Sequence, residues 1–429
     1  MGKQRGRGAV RSVNPENRFN QLGLKDMQKT VLQGKNIVLG VCGGIAAYKS
    51  VELLRHLVKL GARVRVMMTR NAARFVGPTT FAVLSENPVC QDLFHEMDDA
   101  AIRHIAWAEA AQAVVIAPAT ANMVAKLAHG IGDDALSTFM LAVTCPVMIC
   151  PSMNSNMYEH PAHRRNLKQV EADGCCILTP GEGALACGTT GPGRLPEPLE
   201  IVDRLSSLLT PDDLSGVNLL VTAGPTREAI DPVRFISNPS SGKMGYAIAR
   251  AAEHRGARVT LISGPVALAP PLNVALVPVT SAAQMAEAVF AHMDQSQVIV
   301  KVAAVSDYRP AAAQAHKIKK ESSELLLALE RTTDILKTVG ERKRSHQIVV
   351  GFAAETRDME TYARRKIEEK RLDLIVANLI GPPDAGFGAD TNRVTLFFAD
   401  GRKTVVETME KNALAHLILD QVVALMPEK

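Results

Sequence analysis

Two α/β domains, each a Rossmann-like, doubly wound parallel sheet covered by helices on both faces, are predicted from this sequence by three observations. Apolar runs of strand length alternate with helix-length stretches along the 429 residues. The chain is 47% hydrophobic but only 4% aromatic. Its cores must therefore be built of Ala, Val, Leu and Ile, which suits buried parallel strands better than an aromatic-rich sandwich. The alternation also starts afresh near the middle. A chain this long exceeds what one hydrophobic core serves, so the restart marks a second domain.

The chain opens on a basic arm. Residues 1–35 carry eight Lys and Arg against Glu16 and Asp26, a net +6, and the whole chain is +5, which leaves −1 for the rest. Nucleic-acid binding thus has no electrostatic support outside the arm. The stretch MGKQRGRGAVRSVNPENRF lacks the apolar run of a signal peptide, and its Gly and Pro interrupt an amphipathic transit helix. Its composition is that of a disordered tail, expected over 1–33.

NIVLGV (36–41), RVRVMMT (63–69), AVVIAPA (113–119) and PVMICP (146–151) read as buried strands. AAYKSVELLRHLVKLG and MVAKLAHG between them read as helices. A helix starting after Pro198 is interrupted by LTPDDLSG (209–216), so the first domain is expected over 34–210 and the second over 211–429. VNLLVTAGPT (217–226) then repeats the opening of NIVLGVCGG, and GYAIARAAEHRGARVTLISGP echoes YKSVELLRHLVKLGARVRVMMT. Further strands are expected at 258–262, 298–303, 348–353 and 373–377. No segment supplies the roughly 18 consecutive apolar residues of a membrane span. Seven cysteines, at 42, 90, 145, 150, 175, 176 and 187, form no CxxC pair and no metal-ligand spacing. Reduced thiols in a cytoplasmic protein fit best.

The turns after the strands carry the chemistry. In CGGIAAYKS, Gly43 and Gly44 would let backbone N–H groups approach a phosphate at a helix N-terminus, although such turns also serve tight packing. APATANMVAKLAHGIGDDALST (117–138) sets Thr120, Asn122, Ser137 and Thr138 near the carboxyl edge of the sheet, where they either meet a ligand or cap helices. Asn154 follows the next strand, His104 precedes WAEAAQ, and each taken singly also reads as an ordinary turn or packed residue. GEGALACGTTGPGR (181–194) gathers five glycines around Cys187. In the second half SSGKMG opens a helix but lacks the spacing of a P-loop. Lys366 and Lys370 share one helical face, and KIKK (317–320) lies on a separate segment.

GGIAAYK, RHI, PATAN, PSMNSNMY and ACGTTGPGR, in this order, resemble the flavin-dependent decarboxylases that act on amide-linked cysteine, nearest the phosphopantothenoylcysteine decarboxylases. That resemblance implies FMN held near Gly43, Gly44, Thr69, Thr120 and Ser137. It implies His104 as the active-site histidine, Asn154 on the substrate carboxylate, and Cys187 as proton donor on a substrate-covering flap. It further implies oxidation of the substrate thiol, loss of CO2, and return of the electrons from the reduced flavin.

The set TAGPTREAIDPVRFISNPSSGKMG, KVAAVSDYRP, KIKK, VVGFAAET and KIEEK resembles the phosphopantothenate–cysteine ligases of the same bifunctional family. This implies CTP with Mg2+ or Mn2+, 4′-phosphopantothenate and L-cysteine as reactants, joined through an acyl-cytidylate. Asn238 would meet that intermediate, Arg234 would support it, and Lys317 would assist amide formation. Ala303, Ala304, Asp307, Thr333, Asp334, Ile335, Leu336, Phe352, Lys366 and Lys370 would hold the nucleotide. TTDIL stands where the family more usually carries Asn-Pro-Asp-Ile. The metal ligands are not specified. By the same resemblance, decarboxylase trimers and ligase dimers would combine into a dodecamer. Two other readings share the fold. A nicotinamide-dependent oxidoreductase would need the GxGxxG that neither first strand carries, and a regulatory binding module would leave His104, Asn154, Cys187, Asn238 and Lys317 without a task.

Overall fold

A computed structural model describes residues 31–93, 100–184, 188, 190–319, 325–355, 358–379 and 388–427. The chain divides into two compact units between Pro211 and Asp212. Cys187 lies outside the described residues.

The first unit is built on β1 (Asn36–Val41), β2 (Arg63–Met68), β3 (Ala113–Ala119), β4 (Val147–Pro151) and the short β5 (Cys176–Ile177). They form one parallel sheet in the order β2-β1-β3-β4-β5. All seven residues of β3 are buried, because helices cover both faces and no position faces water. Leu39 and Val41 pack with Leu53 and Leu57 of helix Ala47–Lys59 and with Ile201 and Leu205 of helix Pro198–Leu208. Val38 faces the other way, among Met123, Val124, Leu136 and Phe139. Burying each such leucine contributes about 1.5–3 kcal/mol. An antiparallel hairpin, β6 (Gly181–Ala184) and β7 (Thr190–Arg194), stands apart from the sheet.

The second unit runs β8 (Asn218–Ala223), β9 (Arg227–Ala229), β10 (Phe235–Ser237), β11 (Arg258–Ser263), β12 (Ala275–Pro278), β13 (Val298–Lys301), β14 (Tyr308–Pro310), β15 (Leu329–Arg331), β16 (Ile348–Glu355), β17 (Leu374–Leu379), β18 (Thr391–Phe398) and β19 (Lys403–Glu410). Its large sheet has the order β12-β11-β8-β13-β16-β17-β18-β19. The first six strands are parallel, and the last two are antiparallel. The pairs β9–β10 and β14–β15 are separate hairpins.

The expected strands are present, and one feature departs from a purely parallel sheet. β18 and β19 extend it as a hairpin turned at Asp400-Gly401, with Gly401 at φ +89°. β19 turns only Val406 and Met409 fully inward, three residues apart, because its register against β18 shifts between the Asn392–Met409 and Val394–Val406 pairs. Helix Lys411–Leu425 covers the inner face of this extension. Arg255 fastens that helix to the start of the unit. Its guanidinium reaches Asp213 at 2.5 and 2.7 Å, Asp420 at 2.7 Å and the His416 carbonyl at 3.0 Å.

Candidate active sites

Each sheet has one point where the chain reverses its direction of travel across the strands. In the first unit β1 leads outward to β2, and the chain then crosses back to β3. The crevice between the carboxyl ends of β1 and β3 is where open α/β sheets receive ligands. The turn after β1 carries Gly43 and Gly44, which serve different ends. A Cβ on Gly43 would sit 2.5 Å from the Cβ of Asn71, so this glycine lets the turns after β1 and β2 pack. A Cβ on Gly44 would meet nothing within 4 Å.

The hydroxyls expected at this edge are engaged within the chain. Thr120 caps helix Ala121–His129, accepting from Met123 N–H at 3.4 Å. Thr69 accepts from Ala72 N–H at 3.3 Å. Ser137 is buried and forms a capping box with Asp134, N–H to Oδ1 at 2.8 Å and back from Asp134 N–H to Oγ at 3.1 Å. Lys126 braces this corner with bonds of 2.5 Å to Asp133 and 2.6 Å to Asp134. Burial raises the Asp134 carboxyl, but Lys126 and the Ser137 N–H outweigh it and hold the pKa below its ordinary value. The Cys42 thiol, on the same turn as Gly43, is pushed by burial up to about 12 and stays protonated.

The hairpin docks beside Asn154. Met153 N–H donates to the Gly193 carbonyl at 3.0 Å, and Ser152 Oγ to the same oxygen at 3.2 Å. Asn154 caps the short helix Ser155–Glu159, accepting from Asn156 N–H at 2.9 Å. After β7 the chain is tied down again, where Lys49 reaches Glu197 at 2.9 Å and the Leu195 carbonyl at 3.4 Å. Two buried polar atoms of this unit, His104 Nδ1 and Ser155 Oγ, have no hydrogen-bond partner among the described residues. His104 lies on helix Ala100–Ala110, which packs against helix Ala135–Met140.

In the second unit the reversal falls between β8 and β13. Thr222, near the end of β8, accepts from the N–H groups of Val302 and Ala303 at 3.2 Å each. Ala304 and Gly224 are joined by a 3.0 Å backbone bond. Thr226 accepts from Ser306 N–H at 3.1 Å, and Thr332 Oγ1 donates to the Ser306 carbonyl at 2.6 Å. The first threonine of TTDIL therefore holds the turn that leads to Asp307. Asp334 caps helix Ile335–Arg342, whose Ile335 and Leu336 are buried, and pairs with Lys370 at 2.8 Å. Burial raises the Asp334 carboxyl, yet the Lys370 bond and the Lys337 N–H hold it below its usual range. Phe352 on β16 and Lys366 on helix Met359–Lys370 complete this cluster of elements.

Sequence spacing did not show how the other expected residues are held. Asp231 is a buried carboxylate gripped by Arg234 through Nε at 3.0 Å and Nη2 at 2.5 Å. The Arg234 bonds, joined by N–H groups of Val233, Arg234 and Ile318, hold its pKa far below the usual carboxylate range. Arg234 Nη2 also donates to the Ile318 carbonyl at 3.0 Å, and Gln314 N–H donates to Ile230 at 2.9 Å. The segment carrying exposed Lys317 is thus fastened to the turn between β9 and β10. Asn238 follows β10 and donates to the Val305 carbonyl at 3.0 Å. Lys317 is not bonded to helix Met359–Lys370 among the described residues. Three further residues went unnoticed in the sequence: Lys126, Asp231 and Lys301, the last residue of β13. Among the described residues no group of three or more His, Cys, Asp or Glu could hold a metal ion, and no helix is long and apolar enough to cross a membrane.

The order 2-1-3-4-5 of the first sheet is the flavodoxin-like one, and the parallel part of the second is the 3-2-1-4-5-6 order of dinucleotide-binding folds. The molecule is a tandem α/β protein with one ligand-type crevice per unit. Residues 26–210 match the Flavoprotein family model, and residues 214–426 match the DNA/pantothenate metabolism flavoprotein C-terminal domain. The chain is 51% identical over 399 residues to the coenzyme A biosynthesis bifunctional protein CoaBC of Bacillus subtilis (strain 168), covering 92% of this chain and 98% of that protein. It is 46% identical over 402 residues to CoaBC of Escherichia coli (strain K12), covering 93% and 99%. A crystal structure of the CoaBC C-terminal domain matches with a TM-score of 0.43 at 46% identity, over 50% of this chain and 97% of that one. The chain belongs to the CoaBC family of bifunctional coenzyme A biosynthesis enzymes, which pair phosphopantothenate–cysteine ligase with phosphopantothenoylcysteine decarboxylase.

Proposed function

We propose that the second unit joins L-cysteine to 4′-phosphopantothenate at the expense of CTP, and that the first unit decarboxylates the product to 4′-phosphopantetheine with FMN. The observation that carries the ligase reading is the Arg234–Ile318 bond, which fastens the Lys317 segment to the turn preceding Asn238. Nucleotide would lie along the β8–β13 crevice, against the backbone of Ala303 and Ala304, the N-terminal turn Thr333–Leu336, Phe352, and the ammonium groups of Lys366 and Lys370. Asp307 would face its sugar or base. Lysines offset phosphate charge as the carboxylate of phosphopantothenate displaces pyrophosphate. Asn238 then orients the acyl-cytidylate, and Lys317 supports attack by the cysteine amine with release of CMP. A divalent ion, Mg2+ or Mn2+, would enter as the nucleotide's own counter-ion.

A flat, polar cofactor is supported in the first crevice by Gly44, which leaves its approach open, and in the same unit by His104 Nδ1 and Ser155 Oγ, buried polar atoms without partners among the described residues. Gly43 and Gly44 would line the phosphate end, with Thr69, Thr120 and Ser137 around it. When bound, FMN supplies the two-electron exchange with the substrate thiol that makes the neighbouring carboxylate able to leave as CO2. Asn154 holds that carboxylate, His104 keeps the substrate oriented, and Cys187 delivers a proton to carbon once CO2 has left. The hairpin, docked on Met153 and Ser152, would exclude water from the reacting carbon.

The test is to supply the purified full chain with CTP, Mg2+, cysteine and 4′-phosphopantothenate. A yellow protein releasing both CMP and CO2 is expected, and a colourless one that binds NADH would refute the reading. Cys187→Ser should still release CMP and CO2 without forming 4′-phosphopantetheine. Light scattering would report the expected dodecamer.

A further inference from the structure

Lys301 ends β13, at the carboxyl edge where the second crevice opens. Side chains alternate along a strand, so Lys301 shares a face with Ile299, which packs among Leu220, Ile335, Leu336 and Val349. Its neighbours across the sheet are Thr222 and Gly351. Thr222 is already accepting two backbone bonds, and Gly351 has no side chain. The charged groups around it are Asp307 on the turn after β13, Asp334 at the cap of helix Ile335–Arg342, and Lys370 at the end of helix Met359–Lys370. Asp334 and Lys370 are paired with each other. Among the described residues the Lys301 ammonium has neither a hydrogen bond nor an ion pair.

We infer that Lys301 is an anion-receiving residue of the nucleotide site, contacting a phosphate of the bound nucleoside triphosphate from the sheet side while Lys370 approaches from the helix side. The inference rests on the assignment of CTP to this crevice. A half-buried ammonium without a direct partner is costly, and a triphosphate would supply the contact of opposite charge that none of the described residues makes. Burial pulls the Lys301 pKa down to about 8, with Lys370 adding to the fall and Asp334 and Asp307 opposing it. Near pH 8 part of the free protein carries neutral Lys301, and a phosphate favours the ammonium, so binding takes up a proton from solvent. Affinity should fall as pH rises through about 8.

The test uses calorimetry of CTP with Mg2+ on the full chain at pH 8, in buffers of different ionisation heat. Wild-type protein should take up about half a proton per nucleotide. Lys301→Arg, charged throughout, should keep the affinity and lose the uptake. Lys301→Met should bind roughly ten- to a hundredfold more weakly, the scale of one charge-assisted bond. Unchanged uptake in Lys301→Arg, or unchanged affinity in Lys301→Met, overturns the inference; the arginine variant decides alone if the methionine one does not fold. Lys370→Met run in parallel separates the two levels. If it weakens binding and Lys301→Met does not, only Lys301 is refuted. If both are silent, or the wild type does not bind CTP, the siting of the nucleotide fails too.

Discussion

The Arg234 guanidinium and the Ile318 carbonyl meet at 3.0 Å across 84 residues of chain. The same guanidinium neutralises buried Asp231, so one side chain both balances a charge and fixes the position of a distant segment. Arg234→Lys keeps the charge but cannot reproduce the fork. Ligase turnover should fall tenfold or more, a rough scale for a misplaced catalytic group. CO2 release from supplied phosphopantothenoylcysteine should stay unchanged. Parallel assays of CMP and CO2 decide this, and equal loss of both would refute it.

Gly193→Ala tests the docking of the hairpin. Gly193 has φ +129°, and a Cβ there would overlap the Met153 carbonyl oxygen. The backbone strain alone is about 1–3 kcal/mol. Decarboxylase activity should drop while CMP release continues, with the far-ultraviolet circular dichroism unaltered.

Lys126→Met removes both ion pairs from the corner at Asp133 and Asp134. Retention of FMN through gel filtration should fall, read from the flavin absorbance. The lost bonds are worth about 1 kcal/mol or more at this partly exposed site. Lys126→Arg should restore much of the retention. Asp134 is held below its ordinary pKa, so its stabilising contribution is fully present above the usual carboxylate range and disappears as pH falls through its lowered value.

His416 gives an acid-side prediction for the second unit. Burial, with Arg255 and His254 nearby, lowers its pKa to about 4. An unfolded histidine titrates near 6.5. Between these values the unfolded chain binds more protons, so stability is lost as pH falls from about 6.5 to 4, by roughly 3 kcal/mol in all. Urea midpoints at pH 7 and pH 5 should diverge in the wild type and less so in His416→Gln. Equal divergence in both would refute the assignment.

Much of this architecture was legible locally. β1, β3, β8 and β16 are continuous aliphatic runs, because covered parallel strands need no polar face. The β18–β19 hairpin was not among the expected strands, although Asp400-Gly401 between two β-rich runs is a turn dipeptide that favours a hairpin. The crevices were not legible in the same way, since strand order is a property of long-range pairing. Asp231 and Arg234 sit three residues apart in an ordinary-looking turn, yet their role depends on Ile318. Lys301 falls inside the strand expected over 298–303, and nothing in the sequence singles it out. Only the placement of helices Ile335–Arg342 and Met359–Lys370 above it makes it an unpaired charge among Asp307, Asp334 and Lys370.

Gly43 and Gly44 are identical in the sequence and unlike in what constrains them. A side chain at 43 collides with the protein's own Asn71, so its absence is a condition of folding and applies whether or not anything is bound. A Cβ at 44 meets nothing within 4 Å among the described residues. An alanine there should leave the empty protein undisturbed and be felt by an occupant of the crevice. The thermal shift that FMN produces in Gly44→Ala, set beside the unliganded melting point, is therefore a direct gauge of how closely the ligand approaches the backbone.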